Sequence, residues 1–357
     1  MSKPTILKQS IGIDVSKDKI AVCFAVEQTD KKFRILATRK FDNNASGFAQ
    51  LHGWIKKHQK ADLPVNVLME ATGVYYESLA YFLREINFRV SVVLPNKTKA
   101  FAKSLDYKTK TDGIDAKILA QMSLEREVSE WAPAGKNMLK LKRLCRERIE
   151  LLMDKTSVNN RLHAKKHSYK GEGSSMKRAE KILAFLKKQI EEVEQEITKL
   201  IASDPELKGK VEKICSIKGI GIITAATIIG ETNGFALIKN KAQLVSYAGY
   251  DVVENQSGTS INGKTKISKR GNSFIRRALH FPALTTIKHN PSLKALYDRV
   301  FESTRIKMKA AVAVQRKLLV LVYTLYRKDE CFDPQGLISN KSNLPNKNRQ
   351  EQQSVPA

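Results

Sequence analysis

Within the first 128 residues, apolar segments follow one another in an order that few folds accommodate. Ile11–Ser16, Ile20–Val26 and Phe33–Phe41 are short strand-like runs, separated by brief polar connections around Lys17-Asp18-Lys19 and Asp30-Lys31-Lys32. Connections that short make consecutive strands antiparallel neighbours. Ala45–His58 then carries Phe48, Leu51, Trp54 and Ile55 on one helical face. Val65–Met69 is a strand running into Glu70-Ala71-Thr72-Gly73, Tyr75–Ile86 is a helix, and a fifth strand from Arg89 holds Val90, Val92, Val93 and Leu94. A last helix, Asp112–Glu127, repeats Ile114, Ile118, Leu119 and Met122 at helical spacing. Three strands, then helix, strand, helix, strand, helix: this α/β order fits an RNase H-like domain.

Four acids fall at significant places in that order. Asp14 lies inside the first strand among Ile11, Ile13 and Val15, and Glu70 lies just past the end of the fourth. Asp112 and Asp115 occupy the first turn of the last helix. Capping and compensation of the helix dipole explain that pair on their own. In an RNase H-like sheet, however, the first and fourth strands are adjacent and the closing helix crosses nearby, so all four would converge. Gathered carboxylates repel one another and call for hard divalent cations. Two such ions about 4 Å apart serve phosphoryl transfer.

Charge narrows the partners. Lysine and arginine number 63 against 36 acids, a formal charge of +27 with a pI near 9.8. Self-repulsion on that scale calls for a polyanion, and nucleic acid is the foremost one. No apolar run approaches the roughly 20 residues that span a bilayer, and the N-terminus lacks a signal-peptide core. No membrane partner and a cytoplasmic location are therefore expected. Cys23, Cys145, Cys215 and Cys331 show neither metal nor disulfide spacing, which fits a reducing compartment. His163 and His167 are four apart but flanked by lysines, a phosphate-facing pattern more than a metal site. Lys97, Lys99, Lys103, Lys108 and Lys110 crowd the stretch before Asp112, with Asp106 the one acid among them.

The second half reads differently. Ser129–Gly135 is a linker by composition. Met138–Leu162 is one long helix, whose continuation carries Arg161, Lys165, Lys166 and Lys170 before Gly171–Ser175 breaks it. Met176, Ala179, Leu183, Leu186, Ile190, Val193, Ile197 and Leu200 then form a heptad seam. A coiled-coil hairpin follows, made within one chain or through self-association. The Ile217–Ile222 turn, with Gly219 and Gly221, fits a helix-hairpin-helix phosphate contact or a plain tight turn. Gln256–Ser260 reads as a polar loop, followed by Lys264, Lys266, Lys269, Arg270, Arg276 and Arg277 without an acid. Such clustered cations grip phosphates. A helix broken near Pro282 begins after Gly271-Asn272, Asn290-Pro291 opens another, and Ala310–Tyr326 is a buried helix. Residues 336–357 have the composition of a disordered tail.

Three segments, Gly12–Asp18, Met69–Gly73 and Lys110–Ala116, resemble the DEDD transposases of insertion-sequence family one-ten. So do Tyr247-Ala248-Gly249, Gln256-Ser257-Gly258, Ser268–Asn272 and Arg276–Leu279, which are similar to that family's C-terminal transposase domain. Asn262-Gly263 stands where an arginine is usual. The resemblance covers about residues 8 to 335. It implies an RNase H-like (RuvC-like) DEDD domain over 1–128, a linker and coiled-coil hairpin over 129–205, and a mainly helical transposase domain with a serine loop over 206–335. It also implies Asp14, Glu70, Asp112 and Asp115 as a magnesium-binding tetrad holding two Mg²⁺ ions, and Ser257 as the nucleophile, with Ser260, Ser268 and Ser273 as competing hydroxyls. Implied partners are duplex DNA, both donor and target, a structured guide RNA, and further copies of the chain as a dimer, or a tetramer in synapsis, at the bacterial nucleoid. Two rivals stand beside this DNA transposase/recombinase reading. A metal-dependent nuclease or Holliday-junction resolvase would use the tetrad alone and form no protein–DNA adduct. A non-enzymatic nucleic-acid scaffold on an RNase H-like or actin-like fold would tolerate Asp14→Asn.

Overall fold

The computed structural model describes residues 5–60, 63–71, 73–105, 111–169, 173–236, 238–257 and 261–333, in two compact units that meet in sequence at Pro133 and Ala134. The first unit is built on β1 (Ile6–Val15), β2 (Lys19–Gln28) and β3 (Phe33–Asp42), followed by α1 (Ala45–His58), β4 (Val65–Glu70), α2 (Glu77–Glu85), β5 (Arg89–Val93), α3 (Pro95–Ser104) and α4 (Asp112–Glu125). Its sheet has the order β3-β2-β1-β4-β5. The first three strands pair antiparallel, while β1, β4 and β5 run parallel. That is the strand order expected of an RNase H-like domain.

Each sheet face has its own core. Ile11, Ile13, Val22, Phe24, Val67 and Met69 pack with Leu51, Trp54 and Ile55 of α1 and Leu79 and Leu83 of α2. The other face is lined by small residues: Ala21, Cys23 and Ala25 of β2 meet Ala116, Ala120 and Leu124 of α4. Beside them Leu68 and Val93 meet Phe101 of α3 and Ile118, Leu119 and Met122 of α4. Gly12 makes this seat possible. A Cβ there would stand 2.0 Å from the Ala116 carbonyl oxygen and 2.2 Å from the Ala120 nitrogen. At the far end, Lys8 Nζ donates to the Leu124 carbonyl at 3.1 Å, so α4 runs antiparallel to β1.

Two expectations are corrected here. Glu70 is the last residue of β4, paired with Val93, and not past the strand's end. The lysine-rich stretch before Asp112 contains a helix, α3, opened by Pro95 at its first turn and anchored by buried Thr98 and Phe101. Its exposed lysines hide the apolar period. Lys108 and Lys110 lie outside the described residues.

The second unit opens with α5 (Lys136–His167) and α6 (Gly173–Ala202). These form an antiparallel hairpin, tied by Arg148–Glu194 at 2.6 Å and Lys166–Glu180 at 3.6 Å. The apolar seam is used within the chain: Val158 and Leu162 pack on Ala179 and Leu186. The expected break is shorter than its composition indicates, because Gly173, Ser174 and Ser175 already belong to α6. The base of the hairpin (Leu141, Leu144, Val193, Ile197) shares one core with α7 (Pro205–Cys215), α8 (Ile222–Glu231), α9 (Lys241–Tyr247), α10 (Ser273–Ala278), α11 (His280–His289), α12 (Pro291–Thr304) and α13 (Lys307–Lys328). The break between α10 and α11 falls at Leu279, since Pro282 has no N–H for the Ala278 carbonyl. The expected polar loop at 256–260 is instead part of an antiparallel ribbon, β6 (Val252–Ser257) and β7 (Ile261–Ile267), with residues 258–260 outside the described set. The expected tail over 336–357 also lies outside it.

Substitution of Gly12 by alanine forces a methyl into the α4 backbone. Overpacking of this kind costs about 1–3 kcal/mol or more. Calorimetry of the full chain should show a lowered first transition, and hydrogen exchange should show lost protection in Ala116–Ala120 before any loss in α13.

Candidate active site and nucleic-acid surface

Strand register sets two of the first unit's acids, Asp14 and Glu70, on neighbouring strands. Ala21 pairs with Asp14 on one side and with Lys40 on the other. One residue beyond the Ile13–Met69 pair, Asp14 and Glu70 stand on neighbouring parallel strands, and Glu70 pairs with Val93. One row therefore crosses the sheet as Lys40, Ala21, Asp14, Glu70 and Val93, on the face that α4 covers. Because the Ala116 carbonyl rests over Gly12, the first turn of α4 with Asp112 and Asp115 lies toward that row. Thr111 holds the turn in place, its side chain accepting from the Ile114 amide. Asp14, Glu70 and Asp115 are half-buried and Asp112 is exposed.

Asp112 already has a cation. Lys40 Nζ donates to its Oδ2 at 3.0 Å, and that contact, first as a hydrogen bond and then as a charge, holds the Asp112 carboxyl below the usual carboxylate range. Among the described residues no three His, Cys, Asp or Glu side chains stand close enough together to hold a metal ion. His163 and His167 touch ring to ring at 4.4 Å on α5. Lys97, Lys99 and Lys103 point to solvent from α3.

In the second unit Ser257 ends β6, opposite Ile261; its side chain, and that of Lys264, lie outside the described ones. The base of this ribbon is clamped. Lys269 N donates to the Gly249 carbonyl (3.1 Å), Asn272 N to the Tyr247 carbonyl (2.8 Å), and Ser268 N to the Asp251 carbonyl (2.8 Å). The chains come so close that a Cβ on Gly271 would stand 2.5 Å from the Tyr247 oxygen, and Gly249 adopts φ +72°. Ser268 Oγ donates to Asp251 Oδ1 at 2.6 Å, so that competing hydroxyl is committed to the clamp. Arg276 is only in part a surface cation, since its Nη1 donates to the Ala248 carbonyl at 2.7 Å. Lys266, Lys269, Arg270 and Arg277 are exposed.

Two family profiles cover both units. One, described as a transposase and labelled for the DEDD group, matches residues 11–166; the other, described as the transposase IS116/IS110/IS902 family, matches residues 211–298. A pilin gene-inverting protein of Moraxella lacunata is 30% identical over 334 residues, spanning 91% of this chain and 98% of that one. The chain belongs to the IS116/IS110/IS902 transposase family. It is thus a DNA transposase/recombinase, and the DNA-binding partner expected from its charge follows. The Moraxella bovis pilin gene-inverting protein is 29% identical over 331 residues, 91% of this chain and 98% of the relative. Among solved structures, Thermus thermophilus RuvC in complex with a Holliday junction substrate covers 31% of this transposase and 90% of RuvC, at 12% identity and a TM-score of 0.25. The fold is read from the strand order and not from that likeness. No helix among the transposase's described residues is long and apolar enough to cross a membrane.

One arrangement in this transposase leaves almost no mark in the sequence. The Glu231 side chain is fully buried, and Arg146 of α5 grips it with Nε and Nη2 at 2.6 and 2.9 Å. Asn272 Nδ2 donates to the same carboxylate at 2.6 Å while its Oδ1 caps α10. The Arg146 guanidinium also lies over the Phe274 ring at 4.6 Å. The one signal in the sequence is an acid closing the otherwise apolar Ile222–Gly230 run.

Removing one partner of a buried pair strands the other charge. Arg146→Ala, which strands the fully buried Glu231 carboxylate, should lose about 3–5 kcal/mol in urea unfolding, and Arg146→Met combined with Glu231→Leu should recover most of it. At the exposed pair, Lys40→Met should return the Asp112 carboxyl toward its ordinary range in an NMR titration. The native value is the depressed one. Whatever stability that pair adds is therefore present above the ordinary carboxylate range and lost as pH falls through the depressed value.

Proposed function

We propose that this transposase cuts and rejoins DNA with two groups acting on one scissile phosphate: the carboxylates Asp14, Glu70, Asp112 and Asp115, and the hydroxyl of Ser257. The observation that carries the reading is the row that sets Asp14 beside Glu70 under the first turn of α4. The serine assignment is supported by the position of Ser257 at the end of a ribbon whose base is clamped, within the segment matched by the second profile.

An all-carboxylate donor set suits magnesium, and Lys40 beside Asp112 marks a place where positive charge is already accommodated. For Asp112 to join the other three, it must release Lys40. Bound there, one or two Mg²⁺ ions supply Lewis-acid polarisation of the phosphate. Ser257 Oγ attacks phosphorus; the Oγ–P bond forms, the P–O3′ bond breaks, and the serine proton ends on the departing 3′ oxygen. Attack by another 3′ hydroxyl on the phosphoserine reverses those bonds and joins a new partner without ATP. Lys266, Lys269, Arg270 and Arg277 hold flanking phosphates. A structured guide RNA selects donor and target duplexes, and a homo-oligomer, dimer or synaptic tetramer, brings the ends together. Support for rejoining comes from relatives named for inverting a pilin gene. Support for a second nucleic acid comes from the +27 charge.

A nicked suicide duplex tests this. Wild-type chain should give a protein–DNA adduct that survives denaturing electrophoresis, and Ser257→Ala should give none. Asp14→Asn and Asp115→Asn should slow adduct formation by about 100-fold or more while duplex affinity stays within about 2-fold. Hydrolysed ends without an adduct would replace this reading with that of a metal-dependent nuclease or resolvase.

A further inference from the structure

One aromatic ring of the second unit serves neither the core nor the clamp. Phe281 of α11 is 74% exposed, although the same helix buries Ala283 and Thr286. Leu284, three residues on, and Lys288, seven on, share its exposed stripe, and Arg277 stands at the end of α10 just across the break at Leu279; all three are exposed. A further cation arrives from the turn before α8. Gly219 lies so close to α11 that a Cβ there would stand 2.8 Å from Thr286 Oγ1, which sets exposed Lys218 beside the same helix. Between Glu254 and Asp298 the chain has no acid and eight lysines and arginines.

We propose that Phe281 is a stacking platform for an unpaired nucleobase, with Arg277, Lys288 and Lys218 holding the phosphates on either side. A ring face flanked by cations is the arrangement that binds single strands, because every base offers a π-face and every linkage a negative charge. Bases inside a duplex present only their edges, so the occupant is a displaced DNA strand or an RNA loop. The ring meets His280 edge-on at 5.2 Å, and with Leu284 as the one exposed apolar neighbour on its stripe it offers a second protein little further apolar surface. The inference rests on the chain's action on nucleic acid and is independent of the role of Ser257.

Fluorescence anisotropy of the full chain with labelled single-stranded DNA, single-stranded RNA and duplex DNA, across a salt series, tests it. Phe281→Ala should bind at least one unpaired strand about 5- to 100-fold more weakly, with duplex affinity and salt slope unchanged. Phe281→Trp should restore binding, and Phe281→Leu should not. Whichever unpaired strand loses more identifies the source of the base. Arg277→Ala should instead lower the salt slope by about one on every probe. Thermal unfolding of Phe281→Ala should match wild type, because the ring is exposed. Unchanged affinity for both unpaired strands, or an equal loss on duplex, would overturn the proposal. A changed sedimentation coefficient with nucleic-acid binding intact would make the ring a protein contact and overturn it as well.

Discussion

Where α4 crosses β1 the two backbones touch, with no room between them for even a methyl group at Gly12. The neighbouring strand helps by offering only Ala21, Cys23 and Ala25 to the helix, which answers with Ala116 and Ala120. Contact this close fixes the helix in rotation as well as in position. A slip of one residue along α4 would turn Asp115 by about 100° about the helix axis. Placement of acids from three distant parts of the chain on one end of one sheet face therefore depends on side chains that are absent more than on side chains that attract.

The same device recurs in the second unit. Gly249 and Gly271 let two loops hydrogen-bond backbone to backbone beneath β6 and β7. An isolated two-stranded ribbon is marginal in water, and this one presents Val252 and Val253 to solvent. Its order is supplied from below by the clamp, by Ser268 on Asp251 and by Arg276 on the Ala248 carbonyl. Arg276 thus has a structural task that a list of surface cations would miss.

What could be read from the residues was what repeats locally. The alternation of strands and helices, the bounds of α1, and the proline start of α12 follow from period and capping, and the structure has them. The acids stood out because Asp14 interrupts an apolar strand. Features that depend on contacts across the sequence were not legible. α3 was hidden because its lysines mask a short apolar face. Residues 256 and 257, the end of β6, read as part of a polar loop because Gln256-Ser257-Gly258-Thr259-Ser260 carries no apolar alternation. The seam of α6 declared a partner but not which one, and α5 of the same chain satisfies it. Arg146 and Glu231 are 85 residues apart, and nothing local to either predicts that they meet.

The ion pairs Arg146–Glu231 and Lys40–Asp112 differ in a way that matches their surroundings. Arg146–Glu231 is bidentate, buried on the acid side and reinforced by Asn272. Breaking it would leave a carboxylate without water, so its geometry is fixed, and with it the approach of α5 to the loop that clamps the ribbon. Lys40–Asp112 is exposed on both sides. Surface pairs of that kind are worth little, and water or another cation replaces either partner at small cost. A carboxylate intended for permanent structure would be expected in the first situation. Asp112 is in the second situation, at the end of the helix seated on Gly12, which is what the proposed exchange of Lys40 for another cation requires.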